Sequence, residues 1–168
     1  GTAKIDVCGA KNAVFWTADM DIDCDGKPST QCSLQTDPAF QAQTAALDSK
    51  GGPLDAAALP YVVVPGASSR WSYTASGLQL GSVVAVIYQG KIEYGVIGDT
   101  GPSAIIGEAS YAMASSLGID PNPRTGGIGS GVTYIAFTGK TGVVTKNEDH
   151  AEAVRVGAAR AAQFLAEN

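Results

Sequence analysis

The sequence predicts a mostly-β domain with peripheral helices, and three observations support this. Its 168 residues can bury one sizeable core. Its 21 glycines are scattered among short apolar runs, which favours short strands and tight turns. Apolar runs at residues 81–88 and 92–97 flank Gln89-Gly90-Lys91, a pattern typical of a β-hairpin. We therefore predict one domain over residues 1–168.

Further elements follow from apolar runs and breakers. Residues 59–65 and 132–137 read as strands, while residues 38–46 and 111–117 read as short helices. The strongest helical pattern covers about residues 147–166, with Asn147 as the N-cap. Its predicted packing face is a set of small and apolar residues: Ala151, Val154, Ala158, Ala161 and Leu165.

Residues 94–110 form the stretch on which the functional argument depends. A strand at 94–97 is expected to break at 98–102, to be followed by an apolar run at 104–106, and to lead into a helix near Ser110. Asp99 and Glu108 lie at the two ends of this excursion, so they can act as an acid/base pair held at a fixed separation. Spacing alone leaves a second reading open, in which Asp99 only fixes its own turn and Glu108 only favours the helix start.

An acidic segment precedes a glycine at position 26. If it is extended, it places four carboxylates on one side: Asp19, Asp21, Asp23 and Asp25. These like charges repel one another, so a cationic ligand is expected against them. Two alternatives remain, a solvated acidic turn and a calcium loop counted from Asp21. In the calcium loop, Cys32 would occupy the position that requires a glutamate.

Charge and composition exclude several classes of function. The net charge is −5 and the 11 Lys and Arg residues are dispersed, which argues against nucleic acid and favours a cationic substrate. No apolar run approaches the roughly 20 residues of a membrane helix, so no membrane partner is expected. His150 is the only histidine and no CxxC motif is present, so no metal or cofactor is predicted.

The cysteines and the first residues leave the compartment open at this point. Cys8, Cys24 and Cys32 fit either one disulfide with a free thiol or three buried thiols. The chain begins without a basic and apolar leader, so it is either untargeted or a mature form.

Several motifs, in order from about residue 8 to residue 139, resemble the glycoside hydrolase family 75 chitosanases. They are Asp-Met-Asp-Ile-Asp-Cys-Asp-Gly at 19–26, Leu-Pro-Tyr-Val-Val-Val at 59–64, Tyr-Gly-Val-Ile-Gly-Asp-Thr-Gly-Pro at 94–102 and Ile-Gly-Glu-Ala-Ser at 106–110. The hairpin followed by Gly-Asp-Thr-Gly-Pro is also similar to the double-psi β-barrel of family 45 endoglucanases, expansins and one class of lytic transglycosylases. The resemblance therefore implies a six-stranded double-psi β-barrel with peripheral helices.

The resemblance implies a secreted, extracellular endo-hydrolase that cleaves the β-1,4 bonds of chitosan with inversion. By position in the motif, its catalytic carboxylates fall on Asp99 and Glu108. We favour Glu108 as the acid and Asp99 as the base, because amides of the glycine-rich turn would keep Asp99 ionised. The lytic transglycosylase analogy favours the reverse, and both assignments stay open.

The expected substrate contacts follow from charge and from the resemblance. Asp21 and Asp23, with Asp19 or Asp25, are expected to pair with glucosamine ammonium groups. Thr100 and Trp71 complete the expected set, the latter because an indole can stack on a sugar ring. Chitosan is thus the expected partner of a monomeric enzyme without a cofactor, and Cys24–Cys32 is the expected disulfide.

Two alternatives, a wall-binding module and a calcium-binding domain, come from other classes, and a lytic transglycosylase is a nearer, enzymatic alternative. A wall-binding, expansin-like module on the same barrel would not need both Asp99 and Glu108. A lytic transglycosylase would need one acid, and the acidic segment would not suit peptidoglycan, whose stem peptides carry carboxylates. A calcium-binding structural domain would have a chelator-sensitive melting temperature.

Overall fold

A computed structural model describes residues 4–168, so the start of the chain, on which the leader argument rests, lies outside the described residues. The seven strands are β1 (Cys8–Ala10), β2 (Ala13–Asp23), β3 (Tyr61–Pro65), β4 (Val83–Tyr88), β5 (Lys91–Gly101), β6 (Glu108–Ser110) and β7 (Ile128–Phe137). The helices are α1 (Tyr111–Ser116) and α2 (His150–Glu167), and a single 3₁₀ turn spans Lys140–Gly142. No helix in this part of the chain is both long enough and apolar enough to cross a bilayer.

Six strands close into a barrel, as predicted. They follow one another in the order β2-β6-β3-β5-β4-β7, and β7 pairs again with β2. The pairs β2–β6 and β3–β5 are parallel, and the other neighbours are antiparallel. β1 is an additional strand on the outer edge of β2. The prediction of a six-stranded β-barrel with peripheral helices is therefore confirmed.

Alternation of side chains along the strands separates two apolar clusters. One fills the barrel and receives residues from all six barrel strands, including Trp16, Val62, Ile97, Ala109 and Tyr134. The other lies on the outside of the barrel, beneath α2 and the long segment that connects β2 to β3. Successive side chains of β6, β3 and β5 therefore alternate between the barrel interior and its outer surface.

The predicted hairpin is present between β4 and β5. Gln89 and Gly90 form its turn with positive φ values of 47° and 77°, which matches the turn geometry that joins twisted antiparallel strands. Strand 59–65 is observed as β3, and its five residues are all buried. Helix α1 begins after Ser110, whose side chain accepts a hydrogen bond from the amide of Met113.

The expected strand break at residues 98–102 is wrong. β5 continues to Gly101 because residues 99–101 pair in parallel with residues 63–65 of β3, across a bulge at Val62/Val63. Gly98 is required for close packing rather than for a turn, since a Cβ there would lie 2.8 Å from Tyr61 Cβ. Residues 104–106 form a turn and a loop rather than a strand.

The segment between β2 and β3 contains no helix, so the prediction for residues 38–46 is also wrong. Its backbone is fixed instead by tertiary hydrogen bonds: the amide of Gln41 donates to Asp25, and the amide of Ala46 donates to the carbonyl of Gly98. The Cys24–Cys32 disulfide, confirmed with both residues buried, closes the start of this segment. Cys8 is exposed and lies outside the disulfide.

Helix α2 begins and packs differently from the prediction. Its N-cap is Asp149, which accepts a hydrogen bond from the amide of Glu152, whereas Asn147 donates to the carbonyl of Leu47. The buried residues of α2 are Ala153, Gly157 and Arg160, while predicted face residues such as Leu165 are exposed. A Cβ on Gly157 would collide with the Tyr94 ring, so glycine lets the helix lie directly on the barrel.

Candidate active site

Four neighbouring strands place one residue each in a row on the outer face of the barrel. Asp21 of β2 is in register with Glu108 of β6, Glu108 is in register with Val63 of β3, and Val63 is in register with Asp99 of β5. Paired residues project to the same face of a sheet. The acidic segment and the two-carboxylate stretch, which are far apart in the sequence, thus meet at one site.

The register fixes the separation of Asp99 and Glu108. They lie on either side of one strand, so their backbones are about two inter-strand spacings, or roughly 10 Å, apart. Val63 lies between them in the row, and Gly101 of β5 has no Cβ on this face. A Cβ built there would lie 3.6 Å from Glu108 Oε1. Glu108 Oε1 therefore lies near the backbone of Gly101, two residues beyond Asp99 on β5.

Glu108 is held in an environment that favours its protonated form. Burial, with a smaller contribution from the charges of Asp21 and Asp99, raises the pKa of Glu108 to about 7. The residue is positioned by its neighbours on both sides. Ser110 donates to the Leu59 carbonyl, and the carbonyl of Gly107 accepts from the amide of Asp21 at 2.8 Å. Glu108 is therefore suited to donate a proton at neutral pH.

Asp99 is held differently. Burial raises the pKa of Asp99, and hydrogen bonds from the amides of Ala45 and Thr100 and from the Asp23 side chain act in the opposite direction. The Ala45 and Thr100 amides both donate to Oδ1, at 3.0 and 2.9 Å. Amide donors stabilise the ionised carboxylate, so at Asp99 they oppose the effect of burial, whereas burial raises the pKa of Glu108 to about 7.

Asp23 and Asp25 extend the cluster toward Asp99. One carboxylate oxygen from each of Asp23, Asp25 and Asp99 lies within 4.8 Å of the others, which is close enough to share a cation. Backbone amides already occupy oxygens of all three, and Asp23 is only 6% exposed. The residues before Asp21 belong to β2 rather than to the helix of a calcium loop.

The structure gives the remaining candidate residues distinct surroundings. Asp21 is exposed, while Asp19 is half-buried and accepts a hydrogen bond through its carbonyl from Tyr134. Thr100 is half-buried beside Asp99. Trp71 is not brought to the carboxylates by its recorded contacts: its ring packs edge-on against Trp16 at 5.8 Å and its Nε1 donates to Ser76.

A groove of about 360 Å³ adjoins Asp99. Its lining residues are Asp25, Gln41, Gln43, Thr44, Ala45, Asp99 and Thr100. The sequence predicts a helix over this part of the chain, and the position of Gln41 and Gln43 beside Asp99 was missed because it depends on how the long segment folds over β5. A second depression, of about 240 Å³, lies near the start of α2, and none of the clustered carboxylates lines it.

Gly107 is the position at which a single methyl group should disturb the site most. Its φ is +99°, and a Cβ would collide with the Asp19 carboxylate and lie 3.0 Å from Ala18 Cβ. We expect Gly107→Ala to lower the stability by about 1–2 kcal/mol or more and to displace Glu108, with loss of activity. Gly129→Ala is the matched control, since its Cβ would meet no atom within 4 Å. Equal melting temperatures for the two variants would contradict this account of Gly107.

The buried acids also predict how stability depends on pH. Burial raises the pKa of five carboxyl groups at this site: Asp19, Asp23, Asp25, Asp99 and Glu108. The folded state then binds more protons than the unfolded state from about pH 4 to about pH 8, so stability falls as pH rises through this window. We expect the melting temperature to be higher at pH 5 than at pH 8 by roughly 5 °C, on the scale of 2–4 °C per kcal/mol. A melting temperature that increases from pH 5 to pH 8 would contradict the assignment.

The fold and the site together define a β-barrel protein with a groove of paired and clustered carboxylates, the type of site that glycosidic hydrolysis uses. Comparison with known families then identifies the chain. The family described as fungal chitosanase of glycosyl hydrolase group 75 matches residues 20–164. The chain belongs to this family.

Individual relatives agree with this assignment. Endo-chitosanase B of Aspergillus oryzae is 36% identical over 135 residues, which cover 76% of this chain and 56% of the relative. Endo-chitosanase of Aspergillus fumigatus is 35% identical over 140 residues, covering 74% and 56%. Endo-chitosanase C of Aspergillus oryzae is 34% identical over 136 residues, covering 79% and 33%. The chain thus spans little more than half, or less, of the length of these curated relatives.

Proposed function

We propose that the protein is a secreted, endo-acting glycoside hydrolase that cleaves the β-1,4 bonds of chitosan with inversion of the anomeric carbon. The observation that carries this proposal is the register of Asp99 and Glu108, one on each side of β3, with amide donors on Asp99 and with the pKa of the buried Glu108 raised to about 7. Family membership and relatives named endo-chitosanase support the same reaction. Residues 1–168 act as one catalytic domain in this proposal.

The chemistry follows from the two environments. Glu108 donates its proton to the glycosidic oxygen while the bond from that oxygen to the anomeric carbon breaks. A water molecule between the carboxyl groups attacks the anomeric carbon from the opposite face and transfers a proton to Asp99. Inverting enzymes separate their carboxyl groups by about 6.5–9.5 Å to hold this water, and two strand spacings between backbones suit such a separation.

Substrate selection follows from charge. Chitosan carries ammonium groups below the pKa of its amines, and the protein offers a net charge of −5 together with a row of carboxylates beside Glu108. We assign Asp21 as the principal ammonium ligand because it is exposed and neighbours Glu108. Asp19, Asp25 and Thr100 complete the proposed contacts near the groove, and Trp71 contributes an aromatic surface further away.

The remaining properties are proposed on the same basis. The Cys24–Cys32 disulfide suits an extracellular protein, and the polymeric substrate requires that the enzyme reach it outside the cell. We propose a monomer. An expansin-like module or a lytic transglycosylase is not favoured, because the family is one of chitosanases and the site presents two acids in register.

Asp21 provides the test of charge recognition. We expect Asp21→Asn to raise KM for highly deacetylated chitosan by about fivefold, the value of one surface-exposed ion pair of roughly 1 kcal/mol, and to leave the melting temperature unchanged. Steady-state kinetics at low ionic strength checks this. An unchanged KM, or an unfolded variant, would remove Asp21 from the substrate site.

The activity itself is tested by reducing-sugar release from highly deacetylated chitosan, from chitin and from carboxymethyl cellulose. We expect rapid release of reducing sugar from chitosan and little from the two polymers that lack ammonium groups. Comparable release from all three would contradict the electrostatic selection, and no release from chitosan would contradict the function.

A further inference from the structure

Asp23 is a carboxyl group for which the mechanism above has no use. It ends β2, is 6% exposed, and lies with Asp25 and Asp99 in a group whose oxygens are within 4.8 Å of one another. An ammonium group of a bulky polymer requires an accessible carboxylate. The burial of Asp23 therefore argues against the substrate contact that the sequence analysis expected, and raises the question of its role.

A hydrogen bond between two carboxyl groups needs one of them to be protonated, so such a pair shares a proton. Oxygens of Asp23 and Asp99 lie within 4.8 Å of each other, and hydrogen bonding from Asp23 lowers the pKa of Asp99. Asp99 accepts two backbone amides on Oδ1 and is thereby stabilised as the anion. Asp25 is less buried and accepts the amide of Gln41. Asp23 is the most buried of the three and accepts only the amide of Asp25, at 2.7 Å, so the shared proton belongs on Asp23.

The groups that face Asp23 from the surrounding elements favour the same assignment. They are Asp25 from the following loop, Glu108 from β6, Asp99 from β5 and Tyr61 from β3. Burial raises the pKa of Asp23 to about 8, opposed by the Asp25 amide and reinforced by the charges of its acidic neighbours. The Tyr61 hydroxyl donates to the carbonyl of Asp25, at 2.8 Å, and so is committed elsewhere.

We propose that Asp23 is a positioning residue that keeps its proton throughout the reaction and donates a hydrogen bond to Asp99, which it orients and holds ionised as the base. The inference rests on the proposed function, since it assigns Asp23 to the same two-carboxylate site. One oxygen of Asp23 accepts the Asp25 amide and the other carries the proton toward Asp99. The only protons that move are those from water to Asp99 and from Glu108 to the leaving oxygen.

Two substitutions distinguish this role from a charged one. Asp23→Asn presents an oxygen to the Asp25 amide and an NH₂ donor to Asp99, so we expect kcat within about tenfold of wild type and an unchanged KM. Asp23→Leu removes the donor and leaves Asp99 free to shift, which we expect to cost about a hundredfold in kcat and to move the acidic limb of its pH profile upward. Asp21→Asn, which removes an exposed charge from the same strand, is the control and raises KM instead.

Two further measurements do not depend on activity. With ¹³C-labelled aspartate carboxyl groups, we expect a resonance of a protonated carboxyl group at pH 6 that is absent from Asp23→Asn. We also expect Asp23→Asn to melt about 2 °C or more above wild type at pH 8, because it removes a group whose ionisation opposes folding, and to melt close to wild type at pH 5.

The inference is overturned if Asp23→Asn is as impaired as Asp23→Leu, if it raises KM as Asp21→Asn does, or if the spectrum of wild type at pH 6 has no protonated aspartate that this variant removes. If Asp23→Leu does not fold, Asp23→Asn and the spectrum decide. A wild type inactive on chitosan would overturn the proposed function, and the spectrum would still decide whether Asp23 keeps its proton.

Discussion

Glu108→Gln should strongly reduce hydrolysis of chitosan, with kcat lowered by about 10²–10⁴-fold, the contribution of a general acid. The amide cannot donate the proton that the leaving oxygen requires. Since burial raises the pKa of Glu108 to about 7, wild-type activity should also fall as pH rises above about 7, where this acid loses its proton. Glutamine preserves the shape of the side chain, so the fold should be unaffected.

The choice of substrate tests whether Glu108 is the acid rather than the base. In a glucosamine oligomer that carries an activated aryl group, the aryl group departs without being protonated. Glu108→Gln should therefore retain most of its activity on this substrate. Asp6→Asn, which removes one charge at an exposed position outside the cluster, is the matched control and should match wild type. Equal loss by Glu108→Gln on both substrates would contradict the assignment of Glu108 as acid.

Asp99→Asn should reduce kcat by about 10²–10⁴-fold on both kinds of substrate, because activation of water is needed whatever the leaving group. The Ala45 and Thr100 amides, which donate to Asp99 Oδ1, can donate equally to the asparagine oxygen, so the groove should keep its shape. Circular dichroism and melting temperature provide the check on folding.

Azide provides a direct test of the role of Asp99. In Asp99→Ala the anion can enter the vacated space and attack the anomeric carbon without a base, so azide should restore turnover of the activated substrate. The product should be the α-glycosyl azide, formed from the face opposite the leaving group. A β-glycosyl azide would indicate a double displacement with retention, and recovery in Glu108→Ala instead would show that the two roles are reversed.

Local sequence signals predicted elements whose determinants are local. The Gln89-Gly90 turn between two apolar runs specified the β4–β5 hairpin, and Ser110 capped α1 near the expected position. Elements fixed by tertiary contacts were not predictable in this way. β5 continues past Gly98 because β3 offers it a parallel partner, and α2 turns a different face to the barrel because Gly157 rests on Tyr94 and Arg160 is buried.

The site shows the same division. Motif position pointed to Asp99 and Glu108, and the structure brings them into one row with Asp21. Period-two alternation assigns Asp23 and the exposed Asp21 to one side of β2, so the same substrate contact was predicted for both. Alternation carries no information about what covers that side. The burial of Asp23 and the Ala45 amide that reaches Asp99 both depend on tertiary packing, and neither is encoded near Asp23 or Asp99 in the chain.

The most direct test of two carboxylates acting on chitosan through an intervening water is ¹H NMR of the anomeric protons during the first minutes of hydrolysis by the wild-type protein. We predict that the signal of the α-anomer of the new reducing end appears first and that the signal of the β-anomer increases only through mutarotation. Initial appearance of the β-anomer would contradict the inverting geometry, and no new anomeric signal from chitosan would contradict the proposed activity.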